Sequence, residues 1–177
     1  MSEDALDFNP FYHLQIIHDA PDFIPNRVIC LPIDTLENSV NAVQYAINRI
    51  INHQSDRVVL LHVMECTHAS LLHTFLHTRT TKEPAFKDFQ LDHSKTLLTK
   101  VAAEFQSLKI HVTAILLQGE VRESLRTQIL VLKPDLIVLG KQSKNTLADK
   151  LLGTVSNYLL RSIDYPILIV PETFNKH

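Results

Sequence analysis

Glycine is scarce in this sequence, and its three occurrences mark where chemistry could happen. They are Gly119, Gly140 and Gly153. Gly119 and Gly140 each close an apolar run, and Gly153 opens Gly153-Thr154-Val155-Ser156, which reads as a helix start. Glycine serves where the chain takes positive φ or where something must approach the backbone closely. Each one taken alone fits a tight strand-to-helix turn; all three together, with no glycine elsewhere, fit a ligand cleft. A helix N-terminus presents unpaired N–H groups and a partial positive charge, and so suits an anion. The hydroxyls of Thr154 and Ser156 would add donors toward phosphate oxygens, while Thr154 as a simple N-cap is the alternative. Asp34 has two readings as well: a cap, with Glu37 at capping-box spacing, or a contact to a base or a bound metal.

Other candidates carry less. His73 and His77 are four apart, with His68 nearby, but no glutamate completes a HExxH pattern and no cysteine or acidic ligand pairs with them. Gly140-Lys141 matches a P-loop only in part, since position 135 is Asp and position 142 is Gln. No set of nucleophile, base and orienting group can be assembled; Asp34 is a lone carboxylate, so at most slow hydrolysis is expected. Cys30 lies inside an apolar run, where a reactive thiolate is disfavoured.

These residues must be positioned by the elements around them. Apolar runs at 28–33, 58–64, 110–117, 136–139 and 167–170 are short and nearly continuous. Between them, side chains recur at helical spacing: Val40, Val43, Ile47, Ile50 and Ile51; then Phe86, Phe89, Leu97, Val101 and Phe105; then Val121, Leu125, Ile129 and Leu132; then Val155, Leu159 and Ile163. Continuous apolar strands alternating with amphipathic helices predict an α/β fold, its parallel strands buried on both faces and joined by right-handed crossovers. In such a sheet the strand C-termini and following helix N-termini share one rim, which gathers all three glycines. Residues 1–26, with Pro10, Pro21 and Pro25, show no sustained period and read as an extension laid on the surface with one short helical turn. Residues 65–85 read as a polar excursion with some helix.

The composition excludes several classes. The net charge of −2 and pI near 6.5 leave no electrostatic footprint for nucleic acid or an anionic membrane. No apolar run approaches the ~18 residues of a membrane span, and MSEDALDFNP lacks the basic start and apolar core of a signal peptide. Cys30 and Cys66 both flank or enter apolar runs and read as free thiols, so a cytoplasmic location is expected. A chain of 177 residues buries roughly 70% of its unfolded surface and needs no disulfide or metal staple.

Gly140-Lys141-Gln142-Ser143, nine residues, then Gly153-Thr154 resembles the universal stress protein nucleotide motif G-2x-G-9x-G-(S/T). Pro32-Ile33-Asp34 resembles the family's first strand end, Gly119-Glu120 its turn after the third strand, and LLGTVSNYLLRSIDYPILIV its C-terminal stretch. The resemblance covers roughly residues 27–171 and leaves the extension outside; it divides the chain into an extension (1–26), a domain (27–172) and a tail (173–177). It implies an open five-stranded parallel sheet in the order 3-2-1-4-5 with helices on both faces, of the adenine-nucleotide α-hydrolase-like type. It further implies ATP or AMP, with Mg2+ as an accompanying ion, held by Asp34, Gly140, Ser143, Gly153, Thr154, Val155 and Ser156. Pro32, Val63 and Leu139 would line the base, and Gly119 would approach the ribose or phosphate. The last strand, Ile167, Leu168, Ile169 and Val170, would pair with its copy in a homodimer, and the implied role is that of a stress-response regulator. The motif's second glycine is Ser143 here, so a nucleotide-free dimeric interaction module of the same fold is the alternative.

Overall fold

The computed structural model describes residues 13–19, 23–65, 83–141 and 153–172. Its strands are β1 (His13–His18), β2 (Arg27–Pro32), β3 (Asp56–Glu65), β4 (His111–Gly119), β5 (Leu136–Gly140) and β6 (Ile167–Val170). Its helices are α1 (Glu37–Tyr45), α2 (Glu83–Ser107), α3 (Val121–Leu132) and α4 (Thr154–Ser162), with a π-helical turn at Ala46–Ile50 directly after α1. The strands form one sheet in the order β1-β4-β3-β2-β5-β6. From β4 to β6 all pairings are parallel, and these five strands follow the expected 3-2-1-4-5 order.

The sheet has six strands, and this corrects the expected five. The additional strand lies inside what reads from sequence as a surface extension with a helical turn. β1 pairs antiparallel with β4, His13 opposite Gln118 and Ile16 opposite Ile115. Its pattern hides this role, because Leu14 and Ile16 are exposed while Ile17 joins the core, and the register slips between Ile16 and His18. Contacts on either side hold the segment down. The Phe23 ring stacks on His111 at 3.7 Å, the Thr113 hydroxyl donates to Asp19 at 3.0 Å, and the Asn26 N–H donates to Ser55 O at 2.8 Å.

Each face of the sheet carries its own core. On one face α1 and α2 pack Ala42, Val43, Ala46, Leu98, Ala102 and Phe105 over Ile29, Leu31, Val58 and Leu60. On the other, α3 and α4 pack Leu125, Ile129 and Leu159 over Cys30, Val59, Leu61 and Ile137. Two side chains counted on helical core faces turn outward: Val40 is 56% and Phe89 is 67% exposed. The buried face of α1 runs through Ser39, Ala42 and Val43 and continues to Ala46 at the start of the π-turn, and these small side chains let the helix lie close to the sheet. The π-turn ends with the Ile51 N–H donating to Ala46 O at 2.9 Å and delivers Ile51 back into the interior. Cys30 is fully buried, and burial pushes its thiol far up. No helix among the described residues is long and apolar enough to cross a membrane.

Candidate functional site: a cleft at the switch point

β2 and β5 are neighbours, but the helices nearest their C-terminal ends lie on opposite faces of the sheet. Such a point opens a crevice beyond the strand ends. Here it is a cleft of about 400 Å³. One wall is the end of β2 and the turn into α1, from Pro32 to Ser39; the floor is the end of β3, with Leu61, His62 and Val63. The start of α3, from Glu120 to Leu125, and the segments Leu139–Gly140 and Gly153–Ser156 complete it.

Of the residues singled out from sequence, Pro32, Asp34, Val63, Leu139, Gly140, Gly153, Thr154, Val155 and Ser156 all line this one cleft. Gly119 does not; its neighbour Glu120 does. Gly119 instead takes φ 149°, a conformation that L side chains rarely adopt, so the β4–α3 turn itself accounts for this glycine. Ser143 lies outside the described residues, as do Cys66, His68, His73 and His77. Among the described residues no group of three or more His, Cys, Asp or Glu is arranged to hold a metal ion.

Gly140 owes its identity to packing. A Cβ built there would stand 2.2 Å from Asn38 O and 2.5 Å from Asn38 C, so only glycine lets the first turn of α1 rest on the end of β5. Asp34 is not the N-cap of α1, which is Leu36. It builds the approach to the helix instead: Oδ1 accepts from the Leu36 N–H at 2.9 Å and the Ser39 hydroxyl at 2.6 Å, while Ser39 Oγ accepts from the Asp34 N–H at 3.0 Å. This loop of bonds fixes the carboxylate at the mouth of the cleft. Thr154 is not a cap either. Gly153 is the N-cap of α4 and supplies no side-chain bond, so among the described residues no side chain caps the first-turn N–H groups of α4, whose residues line the cleft. The Ser156 hydroxyl is buried just behind them.

Sequence reasoning left several polar residues of the cleft out of the predicted site, Asn38, Ser39, His62, Glu65, Glu120 and Arg122 among them. His62 is 9% exposed, with Nδ1 2.9 Å from Ile33 O and Nε2 3.1 Å from Ser94 Oγ. The carbonyl can only accept, so Nδ1 carries the proton and Nε2 accepts from the Ser94 hydroxyl. Burial pushes this imidazole below its usual pKa, against the opposing pull of the Ile33 carbonyl and Asp34. Glu120 caps α3, accepting from the Glu123 N–H at 2.9 Å, and pairs with Arg122 Nε at 2.9 Å. Burial works against its charge, but these donors outweigh it and hold the carboxyl below its ordinary value. The Arg122 guanidinium, raised by its bond to Glu120, lies 5.6 Å over the Tyr158 ring, whose hydroxyl donates to Glu123. His62 falls within an apolar run and Arg122 within a charged helix start, so neither had a spacing signal.

A doubly wound, mostly parallel sheet with a cleft at the β2–β5 switch point defines an open α/β fold. Residues 25–171 match the model of the universal stress protein family, and the chain belongs to that family. Its likeness extends to "Uncharacterized protein C167.05" of Schizosaccharomyces pombe, 24% identical over 156 residues; the match takes in 86% of this chain but spans only about a quarter, 24%, of that relative's length. Among solved structures, the hypothetical protein MJ0577 shares the fold with a TM-score of 0.68 at 21% identity, over 84% of this chain and 97% of its own. A universal stress protein family protein from Arabidopsis thaliana with AMP bound superposes with a TM-score of 0.57 at 15% identity, over 82% of this chain and 91% of its own.

Proposed function

We propose that this protein binds an adenine nucleotide, AMP or ATP, in the switch-point cleft, and acts as a homodimeric regulator rather than as an efficient enzyme. The observation that carries the reading is the glycine-capped start of α4, whose first-turn N–H groups no described side chain caps, at a cleft of about 400 Å³. That volume is within the range of roughly 300–1,000 Å³ usual for small-molecule sites. A side-chain N-cap would occupy those donors; a glycine leaves them to an anion. The apolar residues Pro32, Val63 and Leu139 on the remaining walls suit a purine, and Asp34 at the mouth has its Oδ1 engaged by Leu36 and Ser39. The same fold holds AMP in the Arabidopsis thaliana protein.

The homodimer is proposed through β6. This strand stands at the sheet edge with Ile167, Leu168 and Ile169 half-buried, and an apolar edge strand is normally covered or paired. Mass spectrometry of small molecules released from the purified protein, with calorimetric titration of AMP and ATP, tests the nucleotide reading. A bound adenine nucleotide, or micromolar affinity for one, is expected. No released nucleotide and no heat with either ligand would leave an interaction module in its place.

A further inference from the structure

The residue Arg122 stands apart from the nucleotide motif, yet it is the one lysine or arginine among the described residues lining the cleft. We propose that Arg122 is the residue by which the cleft distinguishes a phosphate-bearing ligand from the corresponding nucleoside. This rests on the nucleotide reading above and adds to it a specificity determinant outside the glycine motif.

The geometry makes Arg122 a donor held in waiting. Only Nε is engaged, by Glu120 Oε1 at 2.9 Å, and no described residue accepts a bond from either Nη. The guanidinium is placed over the ring of Tyr158 at 5.6 Å. Tyr158 lies in the second turn of α4, and its own hydroxyl bond to Glu123 keeps the ring as a platform. The fork is therefore stationed beside the helix whose first-turn N–H groups no described side chain caps. A phosphate there would meet backbone donors from one side and a guanidinium from the other.

Two features let Arg122 change partners. The Arg122–Glu120 pair is solvent-exposed, with side-chain exposures of 51% and 42%, and exposed pairs of this kind are weak. Glu120 also has other work: Oε2 accepts from the Glu123 N–H at 2.9 Å as the cap of α3, so it remains in place when Arg122 leaves. A phosphate offers a higher charge and an oxygen geometry that matches the guanidinium fork, which favours the exchange. A lysine in this position would supply charge but not the fork.

Calorimetric titration with AMP and adenosine decides the matter, using the wild type, Arg122→Ala, Arg122→Lys and Glu120→Gln. Arg122→Ala is expected to lower AMP affinity by about tenfold, the effect of one charge-assisted bond, and to leave adenosine binding unchanged. Arg122→Lys should restore part of the loss, and Glu120→Gln should strengthen AMP by a few-fold, an advantage that shrinks in high salt. Because Arg122 is exposed, thermal melting of the alanine variant should match wild type. Equal losses for AMP and adenosine would overturn the proposal, as would unchanged AMP binding in Arg122→Ala. If the wild type binds neither ligand, the nucleotide reading itself fails and takes this proposal with it; if it binds both equally, only the phosphate preference fails.

Discussion

Replacing Gly140 by alanine tests how the cleft is built. The added Cβ would lie 2.2 Å from Asn38 O, 2.5 Å from Asn38 C and 2.9 Å from Asn38 Cβ. The two nearest atoms are backbone, so no rotamer change relieves the contact, and the first turn of α1 must retreat by about 1 Å to reach ordinary van der Waals separation. That turn cannot move alone. Ala42 and Val43 follow on the same helix, Ala46 directly after it, and all three are buried against the sheet, so retreat loosens the core beneath them. Overpacking in such a setting costs typically 1–3 kcal/mol, and a clash with backbone belongs at the upper end, about 3 kcal/mol. For a chain of this size each kcal/mol lowers Tm by about 2–4 °C, giving a fall of roughly 6–12 °C. Urea denaturation should show a lowered midpoint with unchanged slope. The same shift displaces Ser39, which binds Asp34, so AMP affinity should fall together with stability. A Gly140→Ala variant within about 0.5 kcal/mol of wild type, inside the usual scatter of surface substitutions, would refute the close-packing account of this glycine. Gly153 makes the comparison: its φ of −57° and ψ of 162° are open to any residue, so Gly153→Ala should cost only about 1 kcal/mol or less in stability.

Three further outcomes follow from the same geometry. His62 has its pKa lowered by burial, so the unfolded chain takes up a proton more readily than the native one; the stability this contributes is present above the ordinary value of 6.5 and is lost as pH falls below it. Denaturation at pH 7.5 and pH 5 should therefore show a smaller acid loss in His62→Asn than in wild type, and identical losses would show that His62 is not the group responsible. Asp34→Ala removes the acceptor that holds Leu36 and Ser39, and titration should show AMP weakened by about tenfold or more, the scale of 1.4 kcal/mol, whereas unchanged affinity would remove Asp34 from the site. Along β6 the carbonyls of Pro166, just before the strand, and Val170 accept from Ile137 and from Lys141, just beyond β5, so the alternate residues Ile167 and Ile169 direct their N–H groups to the open edge; Ile169→Pro should abolish edge pairing while keeping the fold, and a sedimentation profile that still reports a dimer would exclude β6 as its interface.

The fold was largely legible because parallel strands buried on both faces leave continuous apolar runs, as at Val58–Met64 and Ile167–Val170, and amphipathic helices fill the gaps. β1 was not legible, since among its described side chains only Ile17 joins the core and its pairing with β4 is carried by backbone, which has no sequence signature. The buried faces of α1 and α2 were misjudged at Val40 and Phe89 because alanine and serine do the packing there: Ser39, Ala42, Ala46, Ser94 and Ala102 are all buried, and a count of large apolar residues passes over them. At the cleft, glycine and hydroxyl spacing pointed to one rim, but the reasons differ by residue. Gly119 answers to backbone conformation, Gly140 to the approach of α1, and Gly153 to an open helix end. His62, Glu120 and Arg122 became visible only when β3, α3 and α4 were brought side by side.

The antiparallel strand at the β4 edge also orders events during synthesis. β1 precedes β2 and β3 in the chain, yet its partner β4 is encoded about a hundred residues later, with His13 opposite Gln118. At translation rates of roughly 5–20 residues per second, β1 must wait on the order of 5–20 s before any partner exists. Meanwhile β2 and β3, adjacent in sequence, can already pair. β1 thus waits for the third of the parallel strands, and its docking completes only the β4 edge of the sheet, while β5 and β6 are still to be added at the other.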